Sequence, residues 1–230
     1  MNSPINIPLS EAEVKEALQK ALQSQFLDNL RFRHPNVQLD SKLRGFVGEI
    51  AFKKWMLQHG IAFAATNVSI DQSGMDVDFI FNTGKEQFEL ELKTSLLPDV
   101  DQCIEEFLRH RDIKLIRRGN ATIQALKADL HVQFVFTQLR QRKDDWLEKQ
   151  KIDFKATTDE IYEKIAAFRY CKDTYFVAWI DKSSLIQQIE SKPKKLQLWK
   201  YGKREFWCCN IERESKKPFE LVQHLNSLNS

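Results

Sequence analysis

Residues 77–93, VDFIFNTGKEQFELELK, read as a β-hairpin: an apolar strand opening on Asp78, a turn at Asn82-Thr83-Gly84-Lys85, and a return strand closing on Glu91, Leu92 and Lys93. Side chains two apart share a strand face, so Glu89, Glu91 and Lys93 point one way while Leu90 and Leu92 point the other. Asp76 and Asp78 likewise share a face. Pairing across Thr83-Gly84 sets Asp76 opposite Glu91, and a bulge of one or two residues brings Asp78 there instead. Either way two carboxylates become neighbours. They repel unless a cation lies between them, and Mg²⁺, a hard ion content with a few oxygens and several waters, suits such a pair. Lys93 on the same side can orient or activate a metal-bound water, or neutralise charge growing on a phosphate. Alternation of charged and apolar residues alone would also fit a solvated hairpin.

The preceding segment, KLRGFVGEIAFKKWMLQH (42–59), has apolar residues at helical spacing, Ser41 as cap and Gly60 as stop. Glycine is scarce, seven in 230 residues, yet Gly45 and Gly48 fall inside this helix, where each costs roughly 0.5–1 kcal/mol relative to alanine. A close approach at both is expected, and Glu49, beside Val47 and Ile50, is a carboxylate in an apolar stretch that calls for a charged partner.

Together, GFVGEIAFKKWMLQHGI (45–61) and VDFIFNTGKEQFELELK (77–93) resemble the PD-(D/E)XK nucleases, with spacing similar to archaeal Holliday junction resolvases and their restriction-endonuclease relatives. The resemblance spans roughly residues 41 to 95, and Val77 stands where the family name has proline. It places the helix glutamate on Glu49, the strand aspartate on Asp78 and the E-x-K on Glu91 and Lys93. It implies Mg²⁺, with Mn²⁺ as a substitute, held by Asp78, Glu91 and the backbone carbonyl of Leu92, with Asp76 as the alternative ligand. Lys93 would serve the attacking water and Glu49 would support metal or water, leaving a 5′-phosphate and a 3′-hydroxyl. The implied fold is α/β: a restriction-endonuclease-like mixed β-sheet core flanked by helices, with extra C-terminal α+β elements.

The expected function is therefore a Mg²⁺-dependent DNA endonuclease of the restriction type, acting on double-stranded DNA as a homodimer. The alternatives are a Holliday junction resolvase or DNA-repair nuclease, and a non-catalytic DNA-binding protein that keeps the fold. The chain divides into an N-terminal helical segment (1–40), a nuclease core (41–140) and C-terminal helices with a hairpin (141–230) for DNA recognition or dimerisation.

Elsewhere, Ser10 and Glu13 form a capping box for a helix running through Leu30 to His34-Pro35. IAFAATNVSI (61–70) completes a three-stranded meander, and VDQCIEEFLRHRDIKLI (100–116) reads as one helix. LHVQFVFTQL (130–139) and TYFVAWI (174–180) read as buried strands. DDWLEKQ, ATTDEIYEKIAAFRY and FELVQHLNSLN read as helices, and LQLWKYGKREFWCCNIE (196–212) as a hairpin around Tyr201-Gly202.

The net charge of +3 is too small to name a partner, but the cations cluster. SKPKKLQLWKYGKREFW (191–207) interleaves Lys194, Lys195, Lys200, Lys203 and Arg204 with Trp199, Tyr201, Phe206 and Trp207, a pattern for phosphates and stacked bases or for an edge hairpin kept soluble. Arg109, Arg111, Lys114, Arg117 and Arg118 form a second cluster of candidate DNA contacts. The five histidines form no ligand pair and receive no role, and the four cysteines have no zinc-finger spacing and read as reduced thiols. With no membrane-length apolar run and no signal-peptide pattern, a cytoplasmic protein without membrane contact is expected. Walker, dinucleotide-loop and G-x-S-x-G motifs are absent, which argues against ATPase, dehydrogenase and serine-hydrolase readings.

Overall fold

The computed structural model describes residues 4–24, 33–65, 77–82, 87–98, 100–101, 103–137, 143–165 and 173–228. In chain order its elements are β1 (Ile5–Asn6), α1 (Glu11–Gln23), α2 (Pro35–Gln58), β2 (Ala64–Ala65), β3 (Phe79–Asn82), β4 (Gln87–Leu96), α3 (Ile104–His110), β5 (Asp112–Arg117) and β6 (Leu130–Phe136). There follow α4 (Lys143–Glu148), α5 (Thr158–Ile165), β7 (Thr174–Asp181), α6 (Lys182–Ser191), α7 (Lys194–Gln197), β8 (Leu198–Tyr201), β9 (Arg204–Asn210), α8 (Ile211–Glu214) and α9 (Pro218–Leu228). The fold is mixed α/β.

Six strands form the main sheet in the order β1-β7-β6-β4-β3-β2, with β4 and β6 parallel and the other neighbours antiparallel. All of β6 is buried, as a parallel-paired strand covered on both faces must be, and its sequence LHVQFVF is apolar except for His131 and Gln133. One face packs against α1 and α2, where Phe52 meets Phe79 edge-on at 5.3 Å and Trp55 meets Phe176 at 5.0 Å. On the other face, Val135, Val177 and Ile180 share a second core with Leu185 and Ile189 of α6, Phe107 of α3, and Ile113, Leu115 and Trp207. Those last three belong to a separate three-stranded sheet, β5-β9-β8.

Helix α1 starts as its capping box dictates: the Glu13 amide donates to Ser10 Oγ at 3.2 Å and the Ser10 amide to Glu13 Oε2 at 2.6 Å. Its expected continuation to Leu30 lies outside the described residues.

Helix α2 begins at Pro35, earlier than a Ser41 cap would have it. Pro35, read from the sequence as a terminator, sits where its fixed φ and missing N–H favour a helix start. Ser41 is inside the helix and returns its hydroxyl to the Val37 carbonyl at 2.9 Å.

A second departure concerns 100–116. Only Ile104–His110 is helical; Asp112–Arg117 is β5, paired antiparallel with β9. The alternation in DIKLIR, with Ile113 and Leu115 fully buried, is the strand signal that the upstream helical spacing obscured. The β2-β3-β4 meander, the buried strands β6 and β7, and the β8–β9 hairpin occur as expected; β1 and α6 have no counterpart in the sequence reading.

Cys103, Cys208 and Cys209 are unbonded thiols, and burial pushes the Cys208 thiol up to about 11. Among the described residues no helix is long and apolar enough to cross a membrane.

Candidate functional site

Strands β3 and β4 pair Phe79 with Leu90 and Asn82 with Gln87. The connection therefore spans four residues, not the two of a Thr83-Gly84 turn, and this moves the register by two. The paired register ends at Phe79↔Leu90, and the next bond leaves it by one residue: the Asp78 amide donates to the Leu90 carbonyl at 2.8 Å, so Asp78 and Phe79 both face Leu90 as at a β-bulge. Asp76, the alternative, lies outside the described residues.

Asp78 occupies the point where β3 leaves β4. Its Oδ2 accepts the Leu92 amide at 2.6 Å, taking over from the strand partner that has ended. The amide and carbonyl of one strand residue point to the same edge, so the Leu92 carbonyl also faces this gap beside Asp78.

Glu91 is 4% exposed. Burial disfavours its charge, but the Lys93 ammonium and His131 outweigh that and hold its carboxyl down at about 2. Lys93 pairs with Glu91 Oε1, and His131 Nδ1 lies 3.0 Å from Oε2. Ionised carboxylate only accepts, so Nδ1 carries the proton in this contact. His131 is fully buried and its Nε2 has no hydrogen-bond partner among the described residues. The parallel register Glu91↔His131 makes the contact. No local spacing pointed to His131, because its partner is 40 residues upstream.

Glu49 reaches the same hairpin from α2. Burial, with the nearby charge of Asp78, pushes its carboxyl up to about 8 against a smaller pull from Lys20. Asp78 is thus electrostatically linked to Glu49, and it bonds β4 at Leu90 and Leu92, on either side of Glu91 in the chain. Glu49 and Glu91 themselves approach from different sides: α2 packs on the Leu92 and Thr94 side chains of β4, whereas strand alternation sends Glu91 and Lys93 to the opposite face.

The glycine expectation is half corrected. A Cβ on Gly48 would stand 2.5 Å from Thr94 Cγ2 and 2.9 Å from Leu92 Cδ2, so the close approach there is apolar packing of helix on strand. Among the described residues Gly45 has nothing within 4 Å of such a Cβ and no close neighbour to explain it.

Among the described residues no group of three or more His, Cys, Asp and Glu is gathered to hold a metal ion. Mg²⁺ asks for less, one or two carboxylates with the rest of its shell water. Asp78, bonded to β4 at Leu90 and Leu92, and Glu91 between those two residues supply carboxylates of that kind.

The expected DNA contacts are dispersed. Arg111 is committed to Asp101 through two hydrogen bonds of 2.7 and 2.8 Å. Arg117 pairs with Glu205 at 2.7 Å and lies 5.5 Å from the Trp207 ring on the buried side of the small sheet, and Lys200 also pairs with Glu205. Arg109, Arg118, Lys194, Lys195, Lys203 and Arg204 are exposed, and Lys114 lies over the Trp199 ring.

Comparison with family models, with curated proteins and with solved structures returns no match.

Stability should register Glu49 directly. A folded carboxyl near 8 against an unfolded one near 4.5 means the folded state keeps the extra proton, so this contribution is full below pH 4.5 and is lost as pH rises through 8. In EDTA, Glu49→Gln should melt with the wild type near pH 4.5 and above it at pH 8, by roughly 2–4 kcal/mol, less than the full linkage because the side chain keeps some contact with water. An offset in Tm independent of pH would contradict this account.

Proposed function

We propose that the protein is a Mg²⁺-dependent DNA endonuclease with a restriction-endonuclease-like core, acting on duplex DNA as a two-fold homodimer. The observation that carries the reading is Asp78 hydrogen-bonded to β4 at Leu90 and Leu92, on either side of a buried Glu91 that Lys93, two residues on, helps hold ionised.

Asp78 and Glu91 would hold Mg²⁺, with the Leu92 carbonyl as a third donor. Bound there, the ion would supply Lewis acidity toward the phosphodiester and acidify a bound water. The chain's own residues do the rest. Lys93 and His131 keep Glu91 deprotonated at neutral pH despite its burial. Lys93, itself about a quarter exposed at 28%, extends its ammonium from the buried carboxylate toward solvent, where it can orient a water or meet a phosphate oxygen. Glu49, raised toward neutrality, is suited to exchange a proton on the Asp78 side.

Asp78→Asn should lower plasmid nicking or linearisation in Mg²⁺ by at least about a hundredfold, while Asp76→Asn leaves it within a fewfold. The reverse ranking would move the ligand to Asp76. A wild-type protein that binds DNA but leaves plasmid intact in Mg²⁺ and Mn²⁺ would favour the non-cutting DNA-binding reading.

A further inference from the structure

We propose that the open face of the β5-β9-β8 sheet is a stacking platform for single-stranded nucleic acid, with the outer face of Tyr201 receiving a base. The registers Trp199↔Phe206 and Tyr201↔Arg204 in the hairpin, with Ile116↔Phe206 and Lys114↔Cys208 alongside, put these residues on one face. The opposite face, with Ile113, Leu115, Trp207 and Cys209, is buried in the second core. The rings form an ordered column. Lys114 Nζ sits 3.8 Å from the Trp199 ring centroid, and Tyr201 lies nearly parallel to Trp199, 11° apart, at 5.6 Å.

Trp199 therefore meets a cation and two rings, the second being Phe206 at 5.5 Å. Tyr201, 66% exposed, ends the column toward solvent. Gly202, at φ +58°, opens the two-residue Gly202-Lys203 turn that holds Tyr201 and Arg204 at the hairpin tip.

The charge around the column selects the ligand. Arg204 and Lys203 flank Tyr201, and Arg118 follows directly on the Arg117↔Glu205 pair at the same end of the sheet. The acid on this face is Asp112, at the far end opposite Asn210, while Glu205 is turned to the other face and neutralised by Arg117 and Lys200. An open aromatic plane among cations fits an unpaired base with its phosphates; the bases of an intact duplex are stacked on each other and offer no face.

The inference goes beyond the nuclease reading, in which duplex DNA is cut, by adding a separate site for an unpaired stretch, and rests on that reading only in the choice of DNA as probe. Binding is read without divalent ion, so a failure of cleavage and a failure of this platform are separate results. Fluorescence anisotropy of a labelled oligothymidylate of about 20 nucleotides, titrated with the full chain in EDTA, is the measurement.

Tyr201→Ala should weaken binding roughly five- to hundredfold and Tyr201→Phe should retain it, since the ring and not the hydroxyl carries the contact. Substitution at so exposed a position leaves the core intact. The proposal is overturned if wild type does not bind single strands, if Tyr201→Ala binds like wild type, or if an abasic chain of equal length binds as tightly. Burial of Tyr201 in a dimer of this chain that excludes the oligonucleotide would overturn it too.

Discussion

Lys93→Ala is expected to slow Mg²⁺-dependent cleavage of plasmid DNA by roughly a hundred- to ten-thousandfold, the range spanned by losing a group that moves or positions a proton in the transition state. The expectation rests on the proposed function and on geometry: Lys93 contacts Glu91, a carboxylate only 5% exposed at its side chain, and is the partner through which that site reaches solvent. Two effects add. The ammonium that would face the water or phosphate disappears, and Glu91 loses the largest of the influences opposing its burial, so its carboxyl rises from about 2. Only the second can be offset by pH. Cleavage by Lys93→Ala should therefore recover in part as pH is raised, without returning to the wild-type rate. Lys93→Ala cutting at the wild-type rate at neutral pH would sink this assignment, and single-turnover cleavage of a labelled duplex across pH would show it.

The second large effect concerns the helix that carries Glu49. Gly48→Val should destabilise the fold by about 3 kcal/mol or more, a fall in Tm of roughly 6–12 °C for a chain of this size. A Cβ there already overlaps Thr94 Cγ2 at 2.5 Å, and Thr94 is β-branched and stiff at χ1, so the helix itself must lift from β4. Gly45, three residues earlier on the same helix and with nothing within 4 Å among the described residues, should behave oppositely. Gly45→Ala is expected to stabilise by roughly 0.5–1 kcal/mol through helix propensity alone. Thermal melts of the two variants check both signs, and a Gly48→Val protein as stable as wild type would mean that α2 does not sit on β4 as described.

The pairing of those glycines shows where sequence reading stopped. Both were visible as costly residues in a helix, but only packing against β4 distinguishes the one that needs to be glycine. The same holds for residues 100–116. Helical spacing was legible around Phe107 and Leu108, while the strand that follows depends on β9, which arrives about 90 residues later and supplies its hydrogen bonds. His131 had no signal at all in a chain whose histidines are scattered.

What the sequence by itself determined is local. The Ser10 capping box, the alternation that separates Glu91 and Lys93 from Leu90 and Leu92, the largely apolar runs of β6 and β7, and the tight turn at Gly202 all follow from interactions within a few residues. Tertiary structure alone decided the pairing that bonds Asp78 to Leu90 and Leu92 on either side of Glu91, the burial of Glu91 against His131, and the division of the C-terminal cations between an aromatic open face and a face closed by Glu205. The physical reason is common to all three. A strand's pattern states which side chains share a face, but which face is buried, and what lies across from each residue, is set by hydrogen-bonded partners that come from elsewhere in the chain.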